Sequence, residues 1–349
     1  MLLKALSELN GTSGAETAVR DFLREYITPY AERVYTDKIG NLIAEKGSAL
    51  PGPKVMLAAH MDEVALMITE ITTDGFLRFR TVGGIDPRIL LAKPVLFAGG
   101  LTGVIGAKAI HLQKKGERQK ALGIENLAID IGAKSREEAS GKVKLGDYAY
   151  FTTKFQSLGE GYYKGKAFDD RVGCAILADL LKQDYPFPFT AAFTVQEEVG
   201  LRGAKVAAYH VNPDFALVLE TTVANDITED GQENWITELG QGAACSLLDR
   251  STLFQPKLIR WLAEVARQKD IPFQLRQGGG GGNDAGSIHV SRSGVPTLAL
   301  SVPCRYIHSF VSVIAEKDYQ ACYQLADALL REFPAFWEAG LKEKEEDRP

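Results

Sequence analysis

The sequence predicts an α/β protein in which a mostly parallel central sheet, flanked by helices, is interrupted by a small barrel-like β insert. Three observations lead there. Strands and helices alternate from residue 166 onward. Several of those strands are short, unbroken apolar runs such as VMLAA and FALVL, the pattern of strands covered on both faces. Between about residues 70 and 165 the texture changes to short strands cut by glycine, as in DGFLRFRTVGG and PVLFAGGLTGVIGAKAIHL, which is all-β punctuation. On this reading residues 1–69 and 166–349 form one discontinuous α/β domain, and 70–165 form an inserted β domain.

Each element has a local reason. Leu2, Leu3, Leu6 and Leu9 make a helical stripe. Residues 15–27 read as a second helix, with Ser13 as its N-cap, Glu16 three residues on and Pro29 just past its end. VYTDKIGNLIAEKG reads as a hairpin turning at Ile39, Gly40 and Asn41. Residues 55–59 form a buried strand that ends at His60. Within the insert only SREEAS looks helical. Beyond it DDRVGCAILADLLKQ is a helix with Val172, Ile176, Leu177 and Leu180 on one face. TAAFTVQ and FALVLETT are strands separated by the helix LRGAKVAAYH. The helix QPKLIRWLAEVARQKD and the strand PFQLR come next. SIHVSRSG reads as a short helix, TLALSVP as a strand, and EKDYQACYQLADALLREF as the last helix.

Bulk composition excludes several classes. The chain has 349 residues, 45% hydrophobic and 24% charged, an ordinary globular balance for two domains. Forty basic and 45 acidic residues give a formal net charge of -5. No basic stripe stands out, so nucleic acid is not an expected partner. Cys174, Cys245, Cys304 and Cys322 are scattered without CxxC spacing, which fits reduced thiols in a cytoplasmic protein. The opening segment MLLKALSELNGTSGAE has no long apolar signal region. No run of about 18 apolar residues offers a membrane span.

The chemistry concentrates where central strands end, the usual place for sites in such sheets. His60 and Asp62 follow KVMLAA, Glu197 and Glu198 follow AAFTVQ, and Glu220 closes FALVL. His308 follows TLALSVPCRYI, and Asp169 and Asp170 precede a helix. Charged groups beside apolar strands cost several kcal/mol unless paired or bound to metal. Two histidines with several carboxylates suit zinc, cobalt or manganese better than magnesium or calcium. A two-metal hydrolase needs a carboxylate to bridge ions about 3.5–4 Å apart, further ligands on each, and a separate carboxylate for proton transfer. The inventory matches that requirement.

The motifs AHMDEV, KAFDDRVGC, TVQEEVGLRGA, GGGGGNDAGSIH and VPCRYIHS, in this order, resemble the M42 family of metallo-aminopeptidases. That group includes glutamyl and deblocking aminopeptidases and the tetrahedral TET peptidases. The resemblance covers essentially the whole chain, insert included. It implies a zinc-peptidase-like catalytic domain holding two divalent ions, zinc first, with cobalt or manganese next. His60 and Glu220 would bind the first ion, Glu198 and His308 the second, and Asp169 would bridge them, with a cis peptide bond to Asp170. Glu197 would be general base and then acid, and Asp62 would fix the tautomer of His60. The implied reaction is removal of N-terminal residues from unblocked short peptides by a water bridging the ions. The resemblance also implies self-association, as a dimer or a dodecamer, through the insert. Four positions depart from the usual family pattern: Glu220 stands where aspartate is common, Asn283 for threonine, Ala65 for glycine and Phe310 for proline.

Plainer roles suit other residues. His111 reads as structural, His289 as packing, and His210 as a helix cap. The glycine run at 278–282 lacks the GK[ST] ending of a phosphate loop. It reads as a substrate-facing loop, with Gly280, Gly281 and Asp284 as candidate substrate contacts. Two rival functions remain open on sequence alone. A glycosidase would use two carboxylates without metal, and an assembly subunit would not be catalytic.

Overall fold

A computed structural model describes residues 1–119, 121–227, 235–278 and 280–341. The chain opens with α1 (Leu2–Glu8) and α2 (Thr17–Ile27), which bury Leu3, Leu6, Val19, Leu23 and Ile27 completely. Ser13 does not cap α2. Gly14 turns the chain at φ +85°, Glu16 takes the cap position, and the Ser13 hydroxyl donates to Asp62 Oδ2 at 2.6 Å. The hairpin of β1 (Arg33–Thr36) and β2 (Leu42–Lys46) turns where its sequence signals. Asp37 Oδ1 accepts the N–H groups of Ile39, Gly40 and Asn41 there. β3 (Val55–His60) is buried at every position.

Next comes a closed barrel, made of β4 (Ala65–Ile71), β5 (Leu77–Val82), β6 (Pro94–Phe97) and β7 (Thr102–Ala107). The short α3 (Lys115–Arg118) leads to β8 (Leu127–Asp130), then α4 (Arg136–Lys142) and β9 (Tyr148–Phe151) complete it. The strand order is β4-β5-β8-β7-β6-β9, and closure leaves no free sheet edge. Leu66, Ile68, Leu77, Val95, Ile105 and Ile129 fill its core. α4 is the SREEAS helix, capped where the Ser135 hydroxyl accepts the Glu138 N–H at 3.3 Å. The barrel strands run from 65 to 151, whereas the change of texture in the sequence suggested 70 to 165. β4 carries no glycine to announce it, and it pairs with β5 from Ala65 onward. Beyond the barrel, β10 (Gln156–Ser157) and β11 (Tyr162–Gly165) belong to a separate three-stranded sheet.

The α/β portion resumes with α5 (Phe168–Leu180), β12 (Phe189–Thr194), α6 (Arg202–Val211) and β13 (Phe215–Val223). β14 (Ala243–Ser246), α7 (Pro256–Gln268), β15 (Phe273–Arg276) and α8 (Ala285–Ile288) follow. β16 (Thr297–Cys304), β17 (Ser312–Ala315) and α9 (Glu316–Phe336) come next, and a π-helical turn over Trp337–Leu341 closes the described chain. β17 is the third strand of the small sheet, on β11. α8 lies earlier than SIHVSRSG suggested, because positive φ at Arg292 and Gly294 turns the chain before Val295.

The main sheet has eight strands in the order β1-β2-β12-β3-β13-β16-β14-β15. Its centre, β12-β3-β13-β16, is parallel, and antiparallel pairings enter at β2 and β14. α5 packs on β3 and β13 beside α9 and α1, while α6 lies on β12 and β3 and packs against α8, which lies on β13 and β16. The C-terminal ends of β3, β12 and β13 therefore lie side by side. No helix among the described residues is long and apolar enough to cross a membrane.

Candidate metal centre

β3 delivers His60 at its last position, with a side chain 1% exposed. Its Nδ1 lies 3.0 Å from the Asp62 backbone carbonyl oxygen. A carbonyl only accepts, so Nδ1 carries the proton and Nε2 faces the site. Around Nε2 stand Asp169 Oδ1 at 3.3 Å, Glu220 Oε2 at 3.8 Å and Glu197 Oε2 at 4.0 Å. Asp169 turns its other oxygen to His308, with Oδ2 2.9 Å from Nε2. Glu198 Oε1 lies 3.3 Å from that same nitrogen. The six residues that sequence analysis singled out for the metals and the proton shuttle are thus neighbours in space.

The backbone is bent to bring them together. Side chains alternate along a strand, so Glu197 and Glu198 could not both face the site from a continuing β12. The strand ends at Thr194, and Gln196 takes φ +57°. Ala167, Tyr306 and His308 also adopt positive φ, strain of the kind that collects at functional sites. Asp169 and Asp170 have non-helical backbone at the mouth of α5 and are joined by a cis peptide bond.

Asp62 organises the rest. Its carboxylate accepts the Ser13 hydroxyl at 2.6 Å and the N–H groups of Glu197 at 3.1 Å and Glu198 at 3.2 Å. His60 Nδ1 meets the Asp62 backbone carbonyl, and the carboxylate lies farther off at 3.5 Å. Asp170 is a participant the sequence did not assign. Its carboxylate accepts the His60 N–H at 3.2 Å and the Gly173 N–H at 2.9 Å. His60, Asp170 and Glu220 offer ligand atoms within 4.8 Å of one another, and so do His60, Asp169 and Glu198. Asp170 already serves two N–H groups, and Asp169 faces two imidazoles.

Charge in the site is unbalanced. Burial pushes the Glu197 and Glu220 carboxyls well above their usual range and Glu198 up to about 8. Burial opposes charge on His60 too, yet Glu220 and Asp169 outweigh it and raise that imidazole. His308 rises to about 9, since its bond to Asp169 overcomes burial. Between the two imidazoles Asp169 stays low despite burial. Glu198 Oε1 and Glu220 Oε1 are buried with no hydrogen-bond partner. Such oxygens are rare in folded proteins, and divalent cations would answer them.

His60, Asp169, Glu197, Glu220 and His308 line a cavity of about 200 Å³. Gly280, Gly281, Arg276 and Asn283 form part of its wall. Asp284 does not reach the cavity; it is fully buried and accepts the Thr194 hydroxyl at 2.5 Å. Of the glycine run, Gly279 lies outside the described residues. His289 bonds through Nδ1 to its own helix at Ala285, 2.8 Å away.

The profile of the M42 glutamyl aminopeptidase family matches residues 40–325. This chain belongs to the M42 peptidase family. It is accordingly an enzyme of the peptide-hydrolase class. A lysyl aminopeptidase of Pyrococcus furiosus is 35% identical to the M42 chain over 341 residues, covering 95% of this chain and 96% of that protein. Among solved structures, an aminopeptidase from the archaeon Desulfurococcus kamchatkensis has a TM-score of 0.93 at 35% identity, covering 99% of this chain and 97% of that one. A TET1 peptidase of Pyrococcus horikoshii, described as assembling into a tetrahedron or a large octahedral shell, has a TM-score of 0.83 at 36% identity, covering 95% and 98%.

Proposed function

We propose that this M42 chain is an aminopeptidase that uses two divalent metal ions to remove residues from the free N-termini of short peptides. One observation carries the reading. Asp169 presents Oδ1 to His60 Nε2 at 3.3 Å and Oδ2 to His308 Nε2 at 2.9 Å, so a single carboxylate faces two separate imidazoles. His60 and Glu220 would hold one ion, His308 and Glu198 the other, with Asp169 between them. Each side has a buried carboxylate oxygen that no hydrogen bond satisfies, Glu220 Oε1 and Glu198 Oε1. These donors suit zinc first, then cobalt or manganese. Bound there, the ions would supply Lewis acidity, making water acidic at neutral pH and polarising the scissile carbonyl.

The proton work falls to Glu197. Its backbone N–H is fixed by Asp62, while its carboxylate approaches His60 no nearer than 4.0 Å. It is therefore held in place and free to accept a proton, then to return it to the leaving amine. Acidic side chains around the cavity favour the cationic free amine over a blocked terminus. Four buried thiols with no disulfide fit a cytoplasmic setting. We also propose self-association, as a dimer or a dodecamer, with the barrel at the interface.

The test is hydrolysis of free and N-acetylated aminoacyl p-nitroanilides after loading with zinc, cobalt or manganese. Release from the free substrates alone, two ions per chain by elemental analysis, and loss of activity in chelator are expected. Activity that survives complete chelation, as a two-carboxylate glycosidase would show on glycans, overturns the metal reading.

A further inference from the structure

We propose that Arg305 and Asp226 form a clamp that sets the spacing between the two halves of the metal centre, and that without it the ion on the His308 side is held more weakly. The inference rests on the two-ion reading above and assigns two positioning residues to it. β13 carries Glu220, a proposed ligand of one ion, and β16 leads to His308, a proposed ligand of the other. The two strands run parallel and stay in register to Val223 and Cys304, the last residue of each. Arg305 follows Cys304 directly, and Asp226 lies three residues past Val223. Arg305 Nε donates to Asp226 Oδ1 at 2.6 Å, and Nη2 donates to Oδ2 at 2.7 Å. The pair therefore ties the two chains together just where strand pairing ends.

The turn beyond Arg305 needs an anchor. Tyr306 and His308 both take φ +58°, a region unfavourable to any residue with a side chain and kept only where the surroundings impose it. His308 is 35% exposed, against 1% for His60. A buried strand sets His60, whereas His308 depends on whatever holds its turn. At the far end Phe310 stacks on Phe151. At the near end the Arg305 backbone exchanges hydrogen bonds with Val313 at 2.9 and 3.1 Å, which join the turn to its own return strand. The ion pair joins it instead to the chain leaving β13.

Asp226 is a firm post for this purpose. Its side chain is 3% exposed, and Oδ2 also accepts the Leu239 N–H at 3.0 Å. A two-point bond between a guanidinium and a carboxylate fixes direction as well as distance, and a lysine ammonium does not reproduce it. Glu220 needs the clamp less, because β13 is paired with β3 on one side and β16 on the other. Loss of the clamp should therefore fall on the His308 side.

The experiment titrates metal-free protein with cobalt(II), follows visible absorption, and counts bound cobalt by elemental analysis. The native chain should take two ions. Arg305→Lys and Asp226→Asn should each weaken one site by about 10- to 100-fold, the range for a group that orients a metal ligand, and leave the other unchanged. In a His308→Ala background, which should keep only the ion held by His60 and Glu220, Arg305→Lys should change nothing further. Unchanged affinities in both single variants overturn the clamp. Equal weakening of both sites, further loss in the His308→Ala background, or failure of both single variants to fold also overturns it, since each marks a general structural role. Fewer than two ions on the native chain overturns the two-ion reading, and this inference with it.

Discussion

Glu197 and Glu198 hang from one side chain, since Asp62 accepts both of their N–H groups and in turn takes the Ser13 hydroxyl. Two predictions belong to this scale. Glu197→Gln preserves shape and metal ligands but removes the proton acceptor. It should retain two ions by elemental analysis and lose about 10²- to 10⁴-fold in turnover, and ordinary turnover in this variant would sink the base assignment. Ser13→Ala should lower activity about 10-fold through a slackened Asp62, and Ser13→Thr should recover most of it. Equal activity in both would mean that Ser13 does not act through Asp62. The proposed ligands were legible in sequence because charged residues at the ends of apolar strands need an explanation. Ser13 was legible only as a helix cap, since its partner lies 49 residues away. No local pattern announces such a bond. Asp170 was visible as one of a pair, but its service to the backbone N–H of His60 depends on packing alone.

Between elements, one buried cluster locks the loop after β3 to the start of α5. Lys166 Nζ donates to both oxygens of Glu63, at 2.6 and 2.8 Å. Arg171 Nη2 stands 3.6 Å from Glu63 and donates to the Gly11 carbonyl, while Nη1 reaches the Leu6 carbonyl and Nε the Met61 carbonyl. Lys166→Met should cost about 3–5 kcal/mol in urea unfolding, because it strips a buried carboxylate of its partner. Burial draws the Lys166 ammonium down to about 8, against the pull of Glu63. The folded chain therefore releases this proton from about pH 8, while the unfolded lysine keeps it to about 10.4. In that window the unfolded state binds more protons, so the Lys166 contribution to stability rises with pH. The stability gap between native protein and Lys166→Met should widen by about 2 kcal/mol from pH 8 to 10, and a narrowing gap would contradict the assignment. Long elements with a clear period, such as α5, α7 and α9, were legible. β14, with the sequence AACS, was not, since alanine and serine give no strand signal and its place is set by pairing with β16.

At the scale of the molecule, the barrel and the main sheet meet beside the candidate metal centre. Phe310, two residues past His308, stacks on Phe151 of β9 with ring centroids 3.9 Å apart and belongs to the barrel core. The sequence showed that two kinds of texture alternate, but not that the loop of one would be rooted in the other. The barrel also carries exposed apolar side chains on one stretch, Val104 at 49%, Ile110 at 69% and Leu112 at 63%. Contiguous exposed apolar surface marks association sites. If this stretch is the proposed interface, Ile110→Asp combined with Leu112→Asp should lower the assembly mass by light scattering. Every proposed metal ligand comes from a single chain, so the smaller species should still hydrolyse aminoacyl anilides at the native rate per site. What should change is discrimination by size, because an enclosed assembly screens long peptides and a free subunit does not. An unchanged mass in the double variant would move the interface off this stretch, and a fallen mass with lost anilide activity would show that the centre needs its neighbours.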